Sequence, residues 1–437
     1  MNADSRSVKP FVLFFLLLSF FGPYYPGTSF RLDQIIGWIY ICALFVLPLF
    51  AGGVFRIERQ YETKVFALGV GMLLFVLFRI FVDLSNLSGA LQLANQFSLI
   101  VFGCALYYFH RVYLSIEWRS FVIAFLLVSI FINAYAIYQF ADTDSPFVTL
   151  VFDYYGGKEE GRYEDFRTLA ELSVRGGGRF TSIFSGMHSL GIYNLLTLSV
   201  CVGAAVSKKE FPRHFYIVTF ALALSIVGGV LSTSKTYYFG ALIILIINFA
   251  TVGLKLTKFH LYAFLVIGAA AFLVIFLAED LPMVSRPFLL LFGDSGHGVS
   301  DIFSSRFGAS DTTGYFDNVV DVTSQFSTWV LGFGDQAFDY KYADFEYRQI
   351  LLVGGAGLLM LFYGFCVYIT YLNYLSIRTG SPFSRPFLGL SIAFLIAGVG
   401  MPVHLQARII PLWVLLNLLL ASPVSMALKK TNSTLRG

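Results

Sequence analysis

Long apolar stretches recur along this 437-residue chain, and short polar connections separate most of them. Stretches of about 17–25 apolar residues are long enough to cross the hydrocarbon core of a bilayer as helices. We find about twelve of them: 11–22, 34–54, 65–83, 94–110, 120–140, 184–206, 215–232, 236–254, 260–278, 349–371, 387–403 and 409–427. The pattern predicts an all-α polytopic membrane protein, with residues 1–437 forming a single integral membrane domain.

The first apolar stretch has to be distinguished from a signal peptide. It is short and is broken by Gly22-Pro23, and no small-residue cleavage site stands in a suitable place. These features favour a retained helix. The composition agrees with a membrane location, because hydrophobic residues make up 57% of the chain and charged residues only 13%.

Two long polar stretches interrupt the apolar pattern. We name residues 141–182 the first long loop and residues 279–348 the second long loop. Arginines lie in both loops: Arg162, Arg167, Arg175 and Arg179 in the first, and Arg286, Arg306 and Arg348 in the second. A guanidinium group stays charged at physiological pH and donates paired hydrogen bonds to phosphate oxygens. The loops therefore indicate a membrane enzyme that acts on an anionic lipid.

The positive charges are distributed unevenly between the two sides that twelve crossings would create. With the N-terminus inside, seventeen lysines and arginines fall in cytoplasmic segments, and only Arg31, Lys235 and Arg408 fall in the short outer segments. Cytoplasmic loops carry an excess of such residues, whereas long translocated loops are largely exempt from the rule. We therefore expect both termini in the cytoplasm and both long loops on the outer side of the membrane.

The first long loop ends with three glycines between Arg175 and Arg179. Such a backbone can fold tightly around a ligand, although a flexible hinge whose arginines meet lipid headgroups is the alternative. The stretch Gly178-Arg179-Phe180-Thr181-Ser182-Ile183-Phe184, followed by Gly186 and His188, resembles the start of a membrane helix in the O-antigen polymerase and ligase superfamily.

Three further groups of residues resemble motifs of the same superfamily. They are Leu231-Ser232-Thr233-Ser234-Lys235 with Tyr237 to Gly240, where Lys235 replaces the usual arginine; Ser304-Ser305-Arg306 with Leu331-Gly332-Phe333-Gly334; and Tyr342-Ala343-Asp344-Phe345-Glu346 with Gly354-Gly355-Ala356-Gly357-Leu358. The resemblance covers roughly residues 175–360. Its specificity comes from the order and spacing of the motifs and from the placement of the two long loops.

The resemblance implies a fold similar to that of GT-C membrane glycosyltransferases, located in the bacterial inner membrane. Members of the superfamily join oligosaccharides carried on undecaprenyl pyrophosphate at the outer face of that membrane. The implied partners are an undecaprenyl-pyrophosphate-linked glycan, membrane lipids and a polysaccharide co-polymerase that regulates chain length. The implied product is the O-antigen of lipopolysaccharide or a related surface polysaccharide. No cofactor and no nucleic-acid partner is expected.

The two activities of the superfamily differ in the acceptor. Ligases carry a histidine in the second long loop, shortly before its closing helix. Here residues 335–350 contain no histidine, and Asp335, Asp339, Asp344 and Glu346 stand there instead. This difference favours a polymerase, with an O-antigen ligase that transfers glycan to lipid A-core as the alternative.

The implied reaction is the attack of an acceptor hydroxyl on the anomeric carbon of a donor glycan, with lipid pyrophosphate as the leaving group. Arginines can neutralise the charge that builds on this group. We assign that role to Arg179 and Arg306, with lipid anchoring or ion pairing as the alternative. The candidates for a general base are Asp335, Asp339, Asp344, Glu346 and His188. Loop capping, salt bridges and a structural histidine are the alternatives for these residues.

Five further residues are expected to bind the substrate. Arg175 and Lys235 would assist the pyrophosphate clamp, and Lys235 lies between two apolar segments, where a cation usually needs a partner or a wet cavity. Arg348 would bind the substrate from the end of the second long loop. His404 and Arg408 would act from the outer turn between the last two helices.

Asp142-x-Asp144 is a candidate metal site, because paired carboxylates can hold a divalent ion. The same pattern is common in turns, and no second acidic cluster matches it. The sequence therefore favours glycosyl transfer without a bound metal.

A transporter is the alternative from a different class, since twelve helices are common among carriers. Major-facilitator carriers have a long central loop between two six-helix halves, whereas residues 207–214 between helices six and seven form a short connection. No convincing internal repeat and no intramembrane proton relay is visible in the sequence. A flippase for the same lipid would share the arginines and stays an alternative.

Overall fold

The computed structural model describes residues 17, 20–23, 31–50, 60–82, 87–109, 118–155, 171–176, 178–184, 186–252, 325–334, 346–378, 380–398, 403–404, 406 and 408–421. Over these residues the chain is helical and contains no β-strand. Four helices are long and apolar enough to cross a membrane, and shorter apolar helices of 10–17 residues accompany them. The chain is therefore a membrane-embedded helical protein.

The helices of the described ranges are numbered here in chain order. They are α1 (Leu32–Phe50), α2 (Gln60–Val82), α3 (Leu87–Phe109), α4 (Trp118–Ala141), α5 (Pro146–Tyr155), α6 (Met187–Val206), α7 (Phe215–Leu231), α8 (Lys235–Val252), α9 (Phe326–Leu331), α10 (Glu346–Arg378), α11 (Ser384–Ala397) and α12 (Ile410–Leu416). A π-helical turn over Asn417–Ala421 continues α12, and another covers Leu172–Gly176.

Ten of the predicted apolar stretches coincide with helices, whereas 260–278 and most of 11–22 lie outside the described residues. The boundaries differ where helices extend beyond their apolar part. Helix α3 begins at Leu87 instead of residue 94, and α10 continues to Arg378. Helix α5 lies inside the first long loop and was not predicted. Polar helix ends are difficult to predict because hydropathy reports burial in lipid and not backbone conformation.

Helix α6 lies at the centre of the bundle, where it packs against α4, α7, α8 and α11. Nearly all of its side chains are buried, as expected for a helix that is apolar on every face. Glycines allow its neighbours to approach closely. A Cβ atom at Gly240 of α8 would lie 2.5 Å from Cδ1 of Leu195, and one at Gly203 would lie 2.3 Å from the Phe383 ring.

The remaining helices pack around this centre. Helix α3 contacts α1, α2 and α12, and helix α10 contacts α2, α9 and α11. Helix α10 is kinked at Gly354 and Gly355, which have non-helical backbone angles.

The helix ends form two groups. At one end the N–H of Phe180 donates to the carbonyl of Leu231, and the side chain of Arg408 reaches the carbonyl of Gly22. At the opposite end Trp118 packs edge-on against Phe211, with ring centroids 5.5 Å apart. We name the first group the loop end, because both long loops reach it. The segments around Gly22, Phe180, Leu231 and Arg408 lie at the loop end.

Candidate functional site

The buried acidic and basic side chains of the described residues all lie at the loop end: Arg31, Asp33, Glu346, Arg348, His404 and Arg408. They come from the start of α1, the start of α10 and the turn 403–409 between α11 and α12. Ionisable groups buried in a membrane protein are costly and usually mark a functional site. The loop end is therefore the candidate site.

Glu346 and His404 form a buried ion pair within this site. The Nδ1 atom of His404 lies 2.8 Å from Oε1 of Glu346, and the backbone N–H of His404 donates to Oε2. The backbone N–H of Glu346 donates to the carbonyl of Gly398 at 3.1 Å. This carboxylate therefore joins the start of α10 to the turn between α11 and α12.

The surroundings of His404 are aromatic. The rings of Phe362, Phe394 and Trp413 meet it edge-on, with centroid separations of 5.9, 5.6 and 5.0 Å. Burial alone would lower the pKa of His404, but the electrostatic and hydrogen-bonding effects of Cys366 and Glu346 raise this pKa to about 10. The balance of these effects favours the protonated imidazolium form of His404 beside Glu346.

The turn 403–409 also contacts the first long loop. Gln406 accepts a hydrogen bond of 2.7 Å from the Ser189 hydroxyl on α6. The Arg408 guanidinium donates to the carbonyls of Ile183 and Gly22, the latter at 3.1 Å, and lies 5.2 Å from the centroid of the Tyr155 ring. Arg408 therefore joins three segments that are far apart in the sequence.

A second buried ion pair lies near Arg408. Nε of Arg31 is 3.3 Å from Oδ1 of Asp33, at the start of α1. Burial raises the pKa of Tyr155 on α5, Arg408 lowers this pKa and Asp33 raises it. Charges from α1 and from the turn 403–409 thus act on the same phenol group, and α5 belongs to the site.

Residues 178–184 enter the loop end without forming a helix. Phe180, Thr181 and Ser182 are nevertheless buried, and the N–H of Phe180 donates to the carbonyl of Leu231 at 3.2 Å. The side-chain amide of Gln139 accepts from the N–H of Ser182 at 2.8 Å and donates to its carbonyl at 3.3 Å. Arg179 is half-buried within this segment.

Arg175 is engaged inside the first long loop. It forms ion pairs with Glu171 and with Asp144, the latter at 3.4 Å, and donates to the Thr149 hydroxyl at 3.0 Å. It also donates to the carbonyl of Thr143 at 3.4 Å. Ion pairing within the loop therefore accounts for the placement of this side chain.

His188 and Lys235 lie where α6 meets the turn between α7 and α8. Nδ1 of His188 is 3.5 Å from the hydroxyl oxygen of Ser234, and His188 is exposed. Lys235 is half-buried and begins α8. A Cβ atom at Gly191 would lie 2.7 Å from Cβ of Ser234, so the glycine permits this close contact. The structure thus brings these two predicted site residues to neighbouring positions.

The glycines of the second long loop pack against the kink of α10. The N–H of Phe333 donates to the carbonyl of Leu352 at 2.7 Å, just before the non-helical residues of the kink. Gly355 has a φ of +61°, and a Cβ atom there would lie 2.5 Å from the carbonyl oxygen of Trp329. The motifs 331–334 and 354–358 therefore meet in space.

Arg79 holds the end of α9 in place. Its guanidinium donates to the carbonyls of Leu331 and Gly332 at 3.2 and 3.3 Å. These carbonyls lie at the C-terminus of α9, where helix carbonyls lack intrahelical partners. Arg79 lies in the predicted stretch 65–83, and a cation inside an apolar stretch is the signal that could have identified it.

The remaining predicted site residues divide into two groups. Arg348 is buried in the first turn of α10. Arg306, Asp335, Asp339 and Asp344 lie outside the described residues. Sequence reasoning also missed Gln139 and Gln406. Gln139 interrupts an apolar stretch, whereas nothing in the sequence distinguishes Gln406.

Within the described ranges, no group of three or more His, Cys, Asp or Glu side chains could hold a metal ion. Asp144 of the Asp142-x-Asp144 pair contacts Arg175. The arrangement at the loop end instead combines several buried cations with few buried acids, and its chemistry suits an anion. A comparison of the chain with protein-family models and with curated proteins gives no match.

Proposed function

We propose that this chain is a twelve-span glycosyltransferase of the bacterial inner membrane, similar in fold to GT-C enzymes. It polymerises oligosaccharide repeat units carried on undecaprenyl pyrophosphate into O-antigen or a related surface polysaccharide. Both termini lie in the cytoplasm, and the loop end faces the periplasm, where a co-polymerase regulates chain length.

The excess of buried positive charge at the loop end is the observation that supports this proposal. Arg31, Arg348 and Arg408 are buried there, against only Asp33 and Glu346 among the buried acids of the described chain. Arg179 and Lys235 are half-buried at the same end. An excess of cations in a partly dehydrated site favours a multiply charged anion such as a lipid pyrophosphate.

The roles of the arginines differ in this proposal. Arg31 and Arg408 make contacts to protein groups that hold the site together, whereas Arg175 forms ion pairs within the first long loop. Arg179, with Arg306, neutralises the charge that develops on the leaving pyrophosphate. Removal of one such preorganised donor typically costs about 3–4 kcal/mol of transition-state stabilisation.

The general base is best sought outside the Glu346–His404 pair. Both oxygens of Glu346 accept hydrogen bonds from His404, so this carboxylate acts in positioning. His188 is exposed beside Ser234 and Lys235. We assign the deprotonation of the acceptor hydroxyl to His188 among the described candidates, with Asp344 as the competing one.

A ligase is the second candidate, and one observation favours it. The absence of histidine from 335–350 argued for a polymerase, but the structure places His404 2.8 Å from Glu346, at the helix that closes the second long loop. A histidine therefore stands next to that helix in space, although it comes from another part of the sequence.

The decisive experiment uses purified protein in liposomes with an undecaprenyl-pyrophosphate-linked repeat unit. We expect a ladder of glycans that rises by whole repeats and is insensitive to chelator. The Arg179→Ala variant should lower the rate roughly 100-fold or more. Arg378→Ala is the matched control, because this arginine lies at the opposite end of α10, 5.9 Å from the Tyr374 ring centroid.

The products distinguish the alternatives. Transfer of glycan to added lipid A-core without a ladder would establish a ligase. Movement of intact lipid-linked glycan across the bilayer, with no new glycosidic bond, would establish a flippase or another transporter and overturn the proposal.

A further inference from the structure

We propose that Gln139 is a positioning residue that fixes residues 178–184 and thereby sets the location of Arg179. The effect on catalysis rests on the function proposed above, whereas the effect on the position of the segment does not. Gln139 is buried in α4, in an apolar stretch where an amide side chain has to be hydrogen-bonded.

The side-chain amide of Gln139 bonds to both backbone polar groups of one residue. Oε1 of Gln139 accepts from the N–H of Ser182 at 2.8 Å, and Nε2 donates to the carbonyl of the same residue at 3.3 Å. A single side chain therefore satisfies both backbone polar groups of Ser182. The hydroxyl of Ser182 donates to the carbonyl of Ile132 on α4 at 2.6 Å, which adds a third bond between the same two elements.

The segment needs such partners because of its conformation. Ser182 has a φ of 54°, in the left-handed region that is unfavourable for a residue other than glycine, and Gly178 has the same φ. Non-helical backbone at membrane depth is tolerated only where protein groups or water satisfy it. Gln139 supplies the side-chain partner from inside the bundle.

Hydrogen bonds hold the chain at Arg179 and at the residues that follow it. The N–H of Arg179 donates to the carbonyl of Ser173 at 2.9 Å, and the N–H of Phe180 donates to Leu231. Further along the chain, Gln139 holds Ser182 and Arg408 holds the carbonyl of Ile183. Loss of the Gln139 bonds would loosen the segment between Phe180 and Ile183, which directly follows Arg179, and would leave the Ser182 hydroxyl bond to Ile132 as its remaining tie to α4. A small displacement of a charge-stabilising group lowers the rate of a reaction far more than it lowers substrate binding.

The test compares Gln139→Met with Gln139→Glu. Methionine is similar to glutamine in size but makes neither bond. A protonated glutamic acid can accept from the Ser182 N–H and donate to its carbonyl, as the amide does. A carboxyl group at this buried position is expected to have a raised pKa, so it is protonated in mild acid and ionised in alkali.

The first readout does not require enzymatic activity. Each Gln139 variant is combined with Arg179→Cys, and labelling of position 179 by a maleimide is followed by peptide mass spectrometry. We expect Gln139→Met to raise the labelling rate roughly tenfold, because two hydrogen bonds are lost. Gln139→Glu should label like the parent at pH 5.5 and like Gln139→Met at pH 8.5, after correction for the parent's own pH dependence.

The second readout is glycan synthesis by the single Gln139 variants. Gln139→Met should lower kcat at least tenfold with little change in KM. Equal labelling of Gln139→Met and the parent, or labelling of Gln139→Glu at pH 5.5 that is as fast as that of Gln139→Met, would overturn the positioning role. Changed labelling in a protein that makes no glycan would retain the positioning role and reject the proposed function.

Discussion

The two long loops return to the bundle in different ways. Residues 178–184, where the first loop joins the next apolar stretch, are held by side chains, chiefly Gln139 and Arg408, which bond to backbone groups. Residues 332–334 of the second are held by close packing of glycines on the kink of α10, with a backbone bond from Phe333 to Leu352. Both arrangements satisfy non-helical backbone that would otherwise be costly in a membrane protein.

The two segments should tolerate different substitutions. The second-loop contact depends on the absence of side chains, because backbone atoms approach to distances that no Cβ atom permits. The first-loop contact depends on the presence of particular polar groups. Steric substitutions should therefore damage the second contact most, whereas removal of hydrogen-bonding groups should damage the first.

The largest effect is expected from Gly355→Ala. Its Cβ atom would meet the carbonyl oxygens of Trp329 and Val330 at 2.5 and 2.6 Å, and its φ is +61°. Backbone strain and overpacking together should cost about 2–6 kcal/mol of folding free energy. Thermal unfolding in detergent, followed by size-exclusion chromatography, measures this. Gly364→Ala on the same helix is the control, because nothing lies within 4 Å of its Cβ, and equal stability of the two variants would refute the packing argument.

Glu346→Ala should cause the next largest loss of folding free energy. It removes the partner of His404 and leaves a buried cation without its carboxylate, which typically costs about 3–5 kcal/mol. The same unfolding assay tests this prediction. An additional His404→Phe substitution should recover part of the loss, since it removes the uncompensated charge. Failure of the double variant to recover any stability would show that the pair is not coupled.

The Glu346–His404 pair also predicts a dependence on pH. The pKa of His404 is raised from 6.5 to about 10 in the folded protein. A raised pKa contributes stability that is complete below about pH 6.5 and is lost as the pH rises towards 10. The difference in unfolding temperature between the wild type and Glu346→Ala should therefore shrink between pH 6 and pH 10. A constant difference over this range would contradict an ionised pair.

Arg79→Met should have an intermediate effect on the second loop. It removes the donors to the carbonyls of Leu331 and Gly332 but keeps an apolar side chain of similar length. Hydrogen bonds from a charged donor contribute about 1.5–3 kcal/mol. Hydrogen–deuterium exchange of residues 326–334 should rise while exchange of residues 178–184 stays unchanged. A rise in both segments would show that the two loops are not held independently.

The smallest effect is expected from Arg175→Ala in the first long loop. Its partner Asp144 is 85% exposed, so the ion pair is screened by water. Exposed pairs contribute at most about 1 kcal/mol. Unfolding temperature and glycan synthesis should both stay near the wild-type values. A loss of activity as large as that of Arg179→Ala would restore Arg175 to the substrate clamp.

The helices could be predicted from the sequence, because apolar stretches of membrane length have few alternatives in a bilayer. The kink at Gly354 and Gly355 was visible only as a glycine motif, since its cause is contact with a segment about twenty residues earlier.

The partners within the site could not be predicted. Glu346 and His404 are 58 residues apart, and no local pattern joins them. Gln139 and Ser182 are 43 residues apart, and the bond involves backbone groups that every residue carries. Sequence patterns identify residue types suited to a chemistry, whereas the tertiary fold decides which of them engage protein groups and which remain near the exposed surface of the site.

We propose that the loop end binds a lipid pyrophosphate through Arg179. The most direct test measures the affinity of the reconstituted protein for undecaprenyl pyrophosphate and for undecaprenyl monophosphate. We predict tighter binding of the pyrophosphate by the wild type and a loss of roughly tenfold or more in Arg179→Ala, since a charged hydrogen bond is removed. Equal affinity for the two lipids, or equal affinity of the two proteins, would show that the loop end does not bind the pyrophosphate through Arg179.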